Sequence, residues 1–161
     1  MLIICRSPIK WVGGKSKLVK ILCPLIPKHK GYVEVFGGAG WLLFAKSKSK
    51  WEVLNDLDYN LYNFWHTVQY SKNEFINSFK YEIISRAKFN EFKYAYINKK
   101  YENSIHQAHV LYYLLMAGSG ASLPDGGGSG FGTAKDKSRL NLNRIHIDIE
   151  NAHSRLKKVP I

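Results

Sequence analysis

The sequence has little of several features that would by themselves indicate the class of protein. It has two cysteines, Cys5 and Cys23, in ordinary apolar surroundings, which is typical of free thiols in a reducing compartment and excludes a disulfide-stabilised scaffold. Its longest apolar run, residues 110–117, is too short to cross a bilayer, and the first residues are too short for a signal-peptide core. We therefore expect a soluble, cytoplasmic protein.

Acidic residues are also scarce. There are 12 Asp and Glu against 24 Lys and Arg, so the net charge is +12 and the sequence pI is about 9.7. Residues 1–50 contain ten basic side chains and one acid, Glu34. Such a balance favours a polyanionic partner, although a basic surface without any partner is the alternative.

Only His106 and His109 suggest a metal site. Because no third ligand follows at a suitable spacing, we expect no bound metal.

The length sets a limit on the architecture. A chain of 161 residues and 18.5 kDa suffices for one domain with a modest core, or for a core with an inserted lobe. We do not expect two full domains.

A glycine turn stands at the centre of the N-terminal part. Residues 32–36 predict a short buried strand, residues 37–40 contain three glycines, and residues 41–45 predict the start of an apolar helix. Because glycine has no Cβ and the first helical N–H groups lack partners, a ligand can approach the backbone here.

A second strand and an acid follow. Residues 51–56 predict a strand ending at Asp56, which completes half of a parallel βαβ pattern. In nucleoside-binding folds, a carboxylate at this place accepts the ribose hydroxyls. Asp58 is either a second candidate or the cap of the next helix. Leu43 replaces the third glycine of the dinucleotide fingerprint, and Ile9 replaces the first glycine of a P-loop, so both motifs are excluded.

The rest of the chain is mostly helical. The early pattern predicts a helix that ends at Pro24 and Pro27, and the later patterns predict helices over 58–70, 85–97, 104–116 and 142–158. A capping box formed by Ser71 and Glu74 predicts a further helix, and residues 159–161 predict the entry to a third strand. This change from α/β to all-α indicates a helical lobe inserted over about residues 67–140.

The glycine-rich segment 118–132 has two interpretations. It is either a flexible linker or a loop that orders on a phosphate backbone and inserts Phe131 as a wedge.

Three motifs, in this order and spacing, resemble the opening half of Dam-type adenine-specific DNA methyltransferases. They are Lys10-Trp11-Val12-Gly13-Gly14-Lys15, the turn Glu34-x-Phe36-x-Gly38-x-Gly40, and Asn55-Asp56-Leu57-Asp58-x-Asn60-Leu61. Near the C-terminal end, Ala152-His153-x-Arg155-Leu156-Lys157-x-Val159 is similar to the helix that precedes the next strand in that family.

The resemblance implies an α/β fold, a Rossmann-like methyltransferase fold with an incomplete sheet and an inserted helical target-recognition lobe. The implied parts are 1–66 for the cofactor, 67–140 for DNA recognition, and 141–161 for the return to the α/β part. The implied cofactor is S-adenosylmethionine, and the implied reaction is methyl transfer to the exocyclic amino group of adenine in double-stranded DNA. The implied cofactor-binding residues are Trp11, Lys15, Phe36, Gly38, Gly40 and Asp56. The candidate phosphate contacts are Arg86, Lys88, Lys93, Lys135, Lys137 and Arg139.

One family motif is missing from the sequence. Members of the family have an Asp-Pro-Pro-Tyr type tetrapeptide that holds the flipped adenine, and this sequence has no Pro-Pro pair. We therefore assign no catalytic residue and expect this chain alone to be inactive. The expectation is a fragment, a split-gene half that needs a complementary chain, or a remnant; the alternative is a catalytically dead DNA-binding module.

Overall fold

The computed structural model describes residues 5–120, 123–124, 130–132 and 140–161. Two short strands and seven α-helices make up the regular structure of these residues, together with 3₁₀ turns at Lys15–Lys17 and Leu142–Arg144. The strands are β1 (Gly31–Glu34) and β2 (Trp51–Leu54). The helices are α1 (Val19–Leu25), α2 (Trp41–Ala45), α3 (Tyr59–Tyr70), α4 (Lys72–Ser78), α5 (Arg86–Ile97), α6 (Ser104–Ala117) and α7 (Ile145–Leu156).

The two strands pair in parallel, with α2 in the connection between them. Val33 lies opposite Val53 in the register, and Asn55 N–H donates to Glu34 O at 2.9 Å just beyond the strands. This arrangement confirms a mixed α/β class with a small parallel sheet. On the other side of β2, Leu54 N–H donates to Pro160 O at 3.0 Å. This bond aligns the C-terminal residues with β2 at the place where the sequence predicts the entry to a third strand, although residues 159–161 form no regular strand.

The core is one continuous cluster that joins the sheet region to the helices. On α3, Leu61, Phe64 and Trp65 are almost fully buried, and α3 packs mainly against α6. Helix α6 is buried nearly all round, with Tyr112 and Tyr113 among its largest side chains. The aromatic residues of the central helices therefore form a packed interior, as the helical spacing predicts.

A buried ionic network fixes α7 to β2. Arg155 donates from Nη1 to Glu52 Oε2 at 2.5 Å and from Nη2 to Glu52 Oε1 at 3.0 Å, and Lys46 Nζ lies 2.6 Å from Glu52 Oε1. Arg155 Nη2 also donates to Leu43 O at 2.6 Å. Burial alone would raise the pKa of Glu52, but the hydrogen bonds from Arg155 and Lys46 outweigh it and lower the pKa to about 2.

Two local predictions are wrong. Ser71 does not cap α4 through its side chain, because its backbone has φ −132° and ψ 36° rather than the extended geometry of a capping residue. Strand β2 ends at Leu54, so Asp56 lies two residues past the strand. Helix α1 ends at Leu25, between the two prolines at which the sequence predicts its end. Asp58 does cap α3, since its side chain accepts from the N–H groups of Asn60 and Leu61.

None of the helices in the described ranges combines the length and the apolar character that crossing a membrane requires.

Candidate functional site

The glycine turn after β1 is tightly folded. Gly38 and Gly40 have φ values of 49° and 64°, which disfavour residues with a Cβ, and Gly40 N–H donates to Gly37 O at 2.6 Å. Gly40 is the residue before α2. A Cβ on Gly38 would lie 3.0 Å from the Trp11 ring, so the turn and the N-terminal loop are in close contact.

Asp56 holds this turn in place. Its Oδ2 accepts from Gly38 N–H at 2.7 Å, and its Oδ1 accepts from Asp58 N–H at 3.0 Å. On the other side, Trp65 Nε1 donates to Gly38 O at 3.1 Å. The carboxylate therefore has a structural function in the turn. It keeps lone pairs for further donors, because each carboxylate oxygen can accept two hydrogen bonds.

A cavity of about 160 Å³, partly open to solvent, lies between the turn and the N-terminal loop. Five of the six predicted cofactor-binding residues line it. The sixth, Gly40, is not part of the lining. A Cβ on Gly40 would lie 3.0 Å from the Phe44 ring, so a glycine at this position allows α2 to begin close to the core. The five lining residues are Trp11, Lys15, Phe36, Gly38 and Asp56.

Glu34 also lines the cavity, although the sequence reasoning did not select it as a site residue. It is 8% exposed, and its Oε2 accepts from Leu43 N–H at 2.8 Å at the start of α2. Burial raises the pKa of Glu34, while that backbone hydrogen bond and the charge of Lys15 act in the opposite direction. The available signal was its position as the single acid in residues 1–50.

The cavity thus combines charges of both signs with aromatic surface. Lys15 contributes a cation, Glu34 and Asp56 contribute two carboxylates, and the Phe36 side chain is 83% exposed. Because Glu34 already accepts from the Leu43 N–H, that helix N–H group is not available to an external phosphate. These residues suit a ligand with an ammonium, a carboxylate and hydroxyl groups better than a phosphate.

The predicted phosphate contacts that the structure describes lie on α5. Arg86 is exposed and its guanidinium is 5.9 Å from the Phe131 ring, while Lys88 pairs with Glu91 at 2.9 Å. Lys93 is half-buried on the same helix. The other three candidates, Lys135, Lys137 and Arg139, lie outside the described residues.

Phe131 packs on the protein. Its ring centroid is 5.7 Å from that of Phe89, and its residue forms an antiparallel bridge with Gly118. The ring therefore faces the helical core, in contrast to the wedge interpretation.

The histidine pair has protein partners. The Nδ1 and Nε2 atoms of His109 lie 2.7 Å from Ser78 Oγ and from Glu82 Oε2, respectively. Among residues whose placement is described, no group of three His, Cys, Asp or Glu side chains could hold a metal ion.

Comparison with known proteins assigns the family. The family model of the D12 class N6 adenine-specific DNA methyltransferases matches residues 11–145, which include every residue that lines the cavity. The chain therefore belongs to this family.

A curated relative agrees with the assignment. A 64-residue segment, 40% of this chain, is 34% identical to a protein named DNA N-6-adenine-methyltransferase from Escherichia phage P1. The match spans 8% of the length of that relative.

Proposed function

We propose that this chain is the cofactor-binding and DNA-contacting part of an adenine-specific DNA methyltransferase, and that the cavity beside Gly38 holds S-adenosylmethionine. The proposal rests on one observation: Lys15, Glu34 and Asp56 line the same cavity beside a glycine turn, in a member of this family. Family membership supports DNA as the substrate, and the cavity supports the cofactor.

The same proposal extends to the fold. We infer a Rossmann-like methyltransferase domain, because β1, α2 and β2 form a parallel unit whose ligand-facing turn follows the first strand. Residues 1–66 and 141–161 belong to this domain in the proposal, and residues 67–140 form the DNA-recognition lobe. Helix α3 crosses the first boundary, so the two parts share a core.

The residues present fit the cofactor. Lys15 would bind the methionine carboxylate and Glu34 its ammonium, while Trp11 and Phe36 would pack against apolar parts. Asp56 would accept the ribose hydroxyls with lone pairs that Gly38 and Asp58 leave available. A cavity of about 160 Å³ has room for the amino-acid part, because cavities of about this size hold a molecule as large as benzene.

When bound, S-adenosylmethionine supplies an activated methyl group for transfer to nitrogen. The described residues of this chain would hold and orient the cofactor, since Asp56, Trp65 and the backbone of Asn55 fix the turn through hydrogen bonds. The exposed Arg86 and the partly buried Lys88 and Lys93 of α5 would contact DNA phosphates, which positions the duplex without reading its sequence.

We propose that the adenine amino group is positioned by polypeptide outside these 161 residues, because the sequence contains no Pro-Pro pair. The experiment mixes this chain with a polypeptide that carries an Asp-Pro-Pro-Tyr motif and measures labelled methyl incorporation into DNA. The proposal expects incorporation that requires both polypeptides. Incorporation by this chain alone, or none in any such mixture, contradicts it.

Calorimetric titration with S-adenosylmethionine tests the cofactor site itself. Lys15 and Lys17 lie in the same 3₁₀ turn and both are exposed, but only Lys15 lines the cavity. We expect Lys15→Gln to weaken binding about tenfold, which is the effect of losing one charge-assisted hydrogen bond. Lys17→Gln should leave binding unchanged. Equal affinities of the two variants would contradict the proposed site.

A further inference from the structure

A second, larger cavity lies between the start of α3 and the end of α5. Its volume is about 660 Å³, within the range of small-molecule sites, and apolar surface predominates in its lining. Three tyrosines contribute to the wall, Tyr59, Tyr96 and Tyr101. Tyr96 is 7% exposed and Tyr59 is 66% exposed, so the aromatic wall extends from the core to the surface.

Two amide side chains also line this cavity. Gln107 Nε2 donates to Asn60 Oδ1 at 3.0 Å. Among the described residues, this bond leaves the Gln107 carbonyl oxygen and the Asn60 amino group for a ligand. Each nucleobase presents a hydrogen-bond donor beside an acceptor along its pairing edge, which is complementary to such a pair.

Lys99 adds a cation in an unusual backbone conformation. It has φ 52°, and it follows the residue that caps α5. Lys100 N–H donates to Ala95 O at 2.9 Å and Lys99 N–H donates to Tyr96 O at 3.3 Å, which is the Schellman motif that usually has glycine at the place of Lys99. A lysine there costs backbone strain, and Lys99 is one of the residues that line the cavity.

The aromatic surface continues along α3 from Tyr59. Tyr59, Tyr62, His66 and Tyr70 are all exposed, and successive ring centroids are 5.8, 5.8 and 4.6 Å apart. No Lys, Arg, Asp or Glu occurs in α3. A row of exposed rings on a chain of net charge +12 suits stacking by the bases of a nucleic-acid strand.

We propose that this second cavity binds an unpaired nucleotide, with the base against the tyrosines, its edge on Asn60 and Gln107, and its phosphate on Lys99. This site is distinct from the cofactor cavity, with which it shares no lining residue. The inference rests on the proposed function only in taking DNA as the source of the nucleotide.

The test compares two fluorescent duplexes without cofactor, one perfectly paired and one with a single unpaired adenine. We expect the wild-type chain to bind the bulged duplex more tightly. Tyr59→Ala should reduce that preference about tenfold, which is the effect of losing one stacked base. Tyr81→Ala is the matched control, because Tyr81 is 84% exposed and does not line the cavity. No preference for the bulge, or an equal loss in both variants, overturns the proposal.

A second pair of variants tests the contribution of the Lys99 charge without destabilising the fold. Lys158 also has a positive φ, 69°, after α7 and does not line the cavity. Lys99→Gly should raise the melting temperature yet lower the salt dependence of bulge binding by about one phosphate contact. Lys158→Gly should leave that salt dependence unchanged, and identical effects of the two variants contradict a phosphate on Lys99.

A competition experiment with deoxyadenosine monophosphate tests whether the second cavity takes a free nucleotide or only a nucleotide within a DNA strand. Competition with the bulged duplex indicates a site that also takes free nucleotides, whereas bulge preference without competition indicates a site that requires the strand. Calorimetry with S-adenosylmethionine on Tyr59→Ala keeps the two proposals apart. Tyr59→Ala should bind the cofactor as the wild type does. If the wild-type chain binds the cofactor but shows no preference for the bulged duplex, only the proposal for the second cavity is refuted.

Discussion

The amide of Gly38 donates a 2.7 Å hydrogen bond to Asp56 Oδ2, which joins the glycine turn after β1 to the residues that follow β2. The two residues are 18 positions apart in the chain. This bond makes the turn a preformed part of the cavity and gives Asp56 a function in the structure as well as in the proposed ribose contact.

Removing the Asp56 carboxylate should therefore affect folding and binding together. We expect Asp56→Ala to lower the free energy of unfolding by about 1.5–3 kcal/mol, because Gly38 and Asp58 both lose a charged acceptor. Urea denaturation measures this change, and calorimetry measures the accompanying loss of cofactor affinity. An unfolding curve identical to that of the wild type would contradict a structural function for Asp56.

A substitution of Glu34 should weaken cofactor binding with little loss of stability, whereas a substitution of Asp56 should affect both. Glu34→Gln keeps an oxygen to accept from Leu43 N–H and removes a buried charge, so we expect the free energy of unfolding to change by less than about 1 kcal/mol. Affinity for S-adenosylmethionine should fall at least about tenfold, because the ammonium loses its anionic partner. Unchanged affinity would remove Glu34 from the cofactor site.

Acid should destabilise the fold through Glu52. Its pKa is about 2 in the folded chain and near the ordinary 4.5 when unfolded, so the unfolded state binds a proton first as the pH falls. Its contribution to stability is complete above pH 4.5 and is lost as the pH falls towards 2. Glu52→Gln should flatten the dependence of unfolding free energy on pH in this window.

The same substitution should be costly at neutral pH. Glu52→Gln leaves Arg155 buried without its anion, and we expect a loss of about 3–5 kcal/mol. Glu91→Gln is the control, since the Glu91 side chain is 63% exposed in its pair with Lys88 and should cost less than about 1 kcal/mol. Similar losses in both variants would mean that the Arg155 network does not stabilise the fold.

Lys99 provides a prediction of the opposite sign. Replacing it with glycine should raise the free energy of unfolding by about 1 kcal/mol, because φ 52° strains a residue with a Cβ. Chemical denaturation checks this gain. A decrease would indicate that the lysine side chain stabilises the folded chain by more than the strain costs.

The sequence predicts elements where local chemistry decides them. The glycines after β1 and the Asp58 cap are local features, and both lie where their residue types predict. Ser71 fails as a cap because its backbone serves two helices: its N–H donates to Thr67 O and its C=O accepts from Phe75 N–H. Ser71 therefore also ends α3, and its backbone has φ −132° and ψ 36° instead of the extended conformation of a capping residue.

The sequence alone does not predict contacts between residues that are far apart in the chain. The pairing of Glu52 with Arg155 joins residues 103 positions apart, and no spacing rule predicts it. Glu34 was not predicted as a site residue for a related reason, because its place in the cavity depends on its hydrogen bond with Leu43 of α2. The second cavity likewise brings together α3, α5 and α6.

Photolabelling with radioactive S-adenosylmethionine, followed by peptide mapping, tests the central claim most directly. Ultraviolet irradiation of the complex should attach the label to peptides that contain Trp11 or Phe36, the aromatic residues proposed to contact the cofactor. Excess unlabelled cofactor should suppress that labelling. Suppressible label confined to other peptides, such as that containing Tyr101 of the second cavity, or the absence of suppressible label, would contradict the proposed cofactor site.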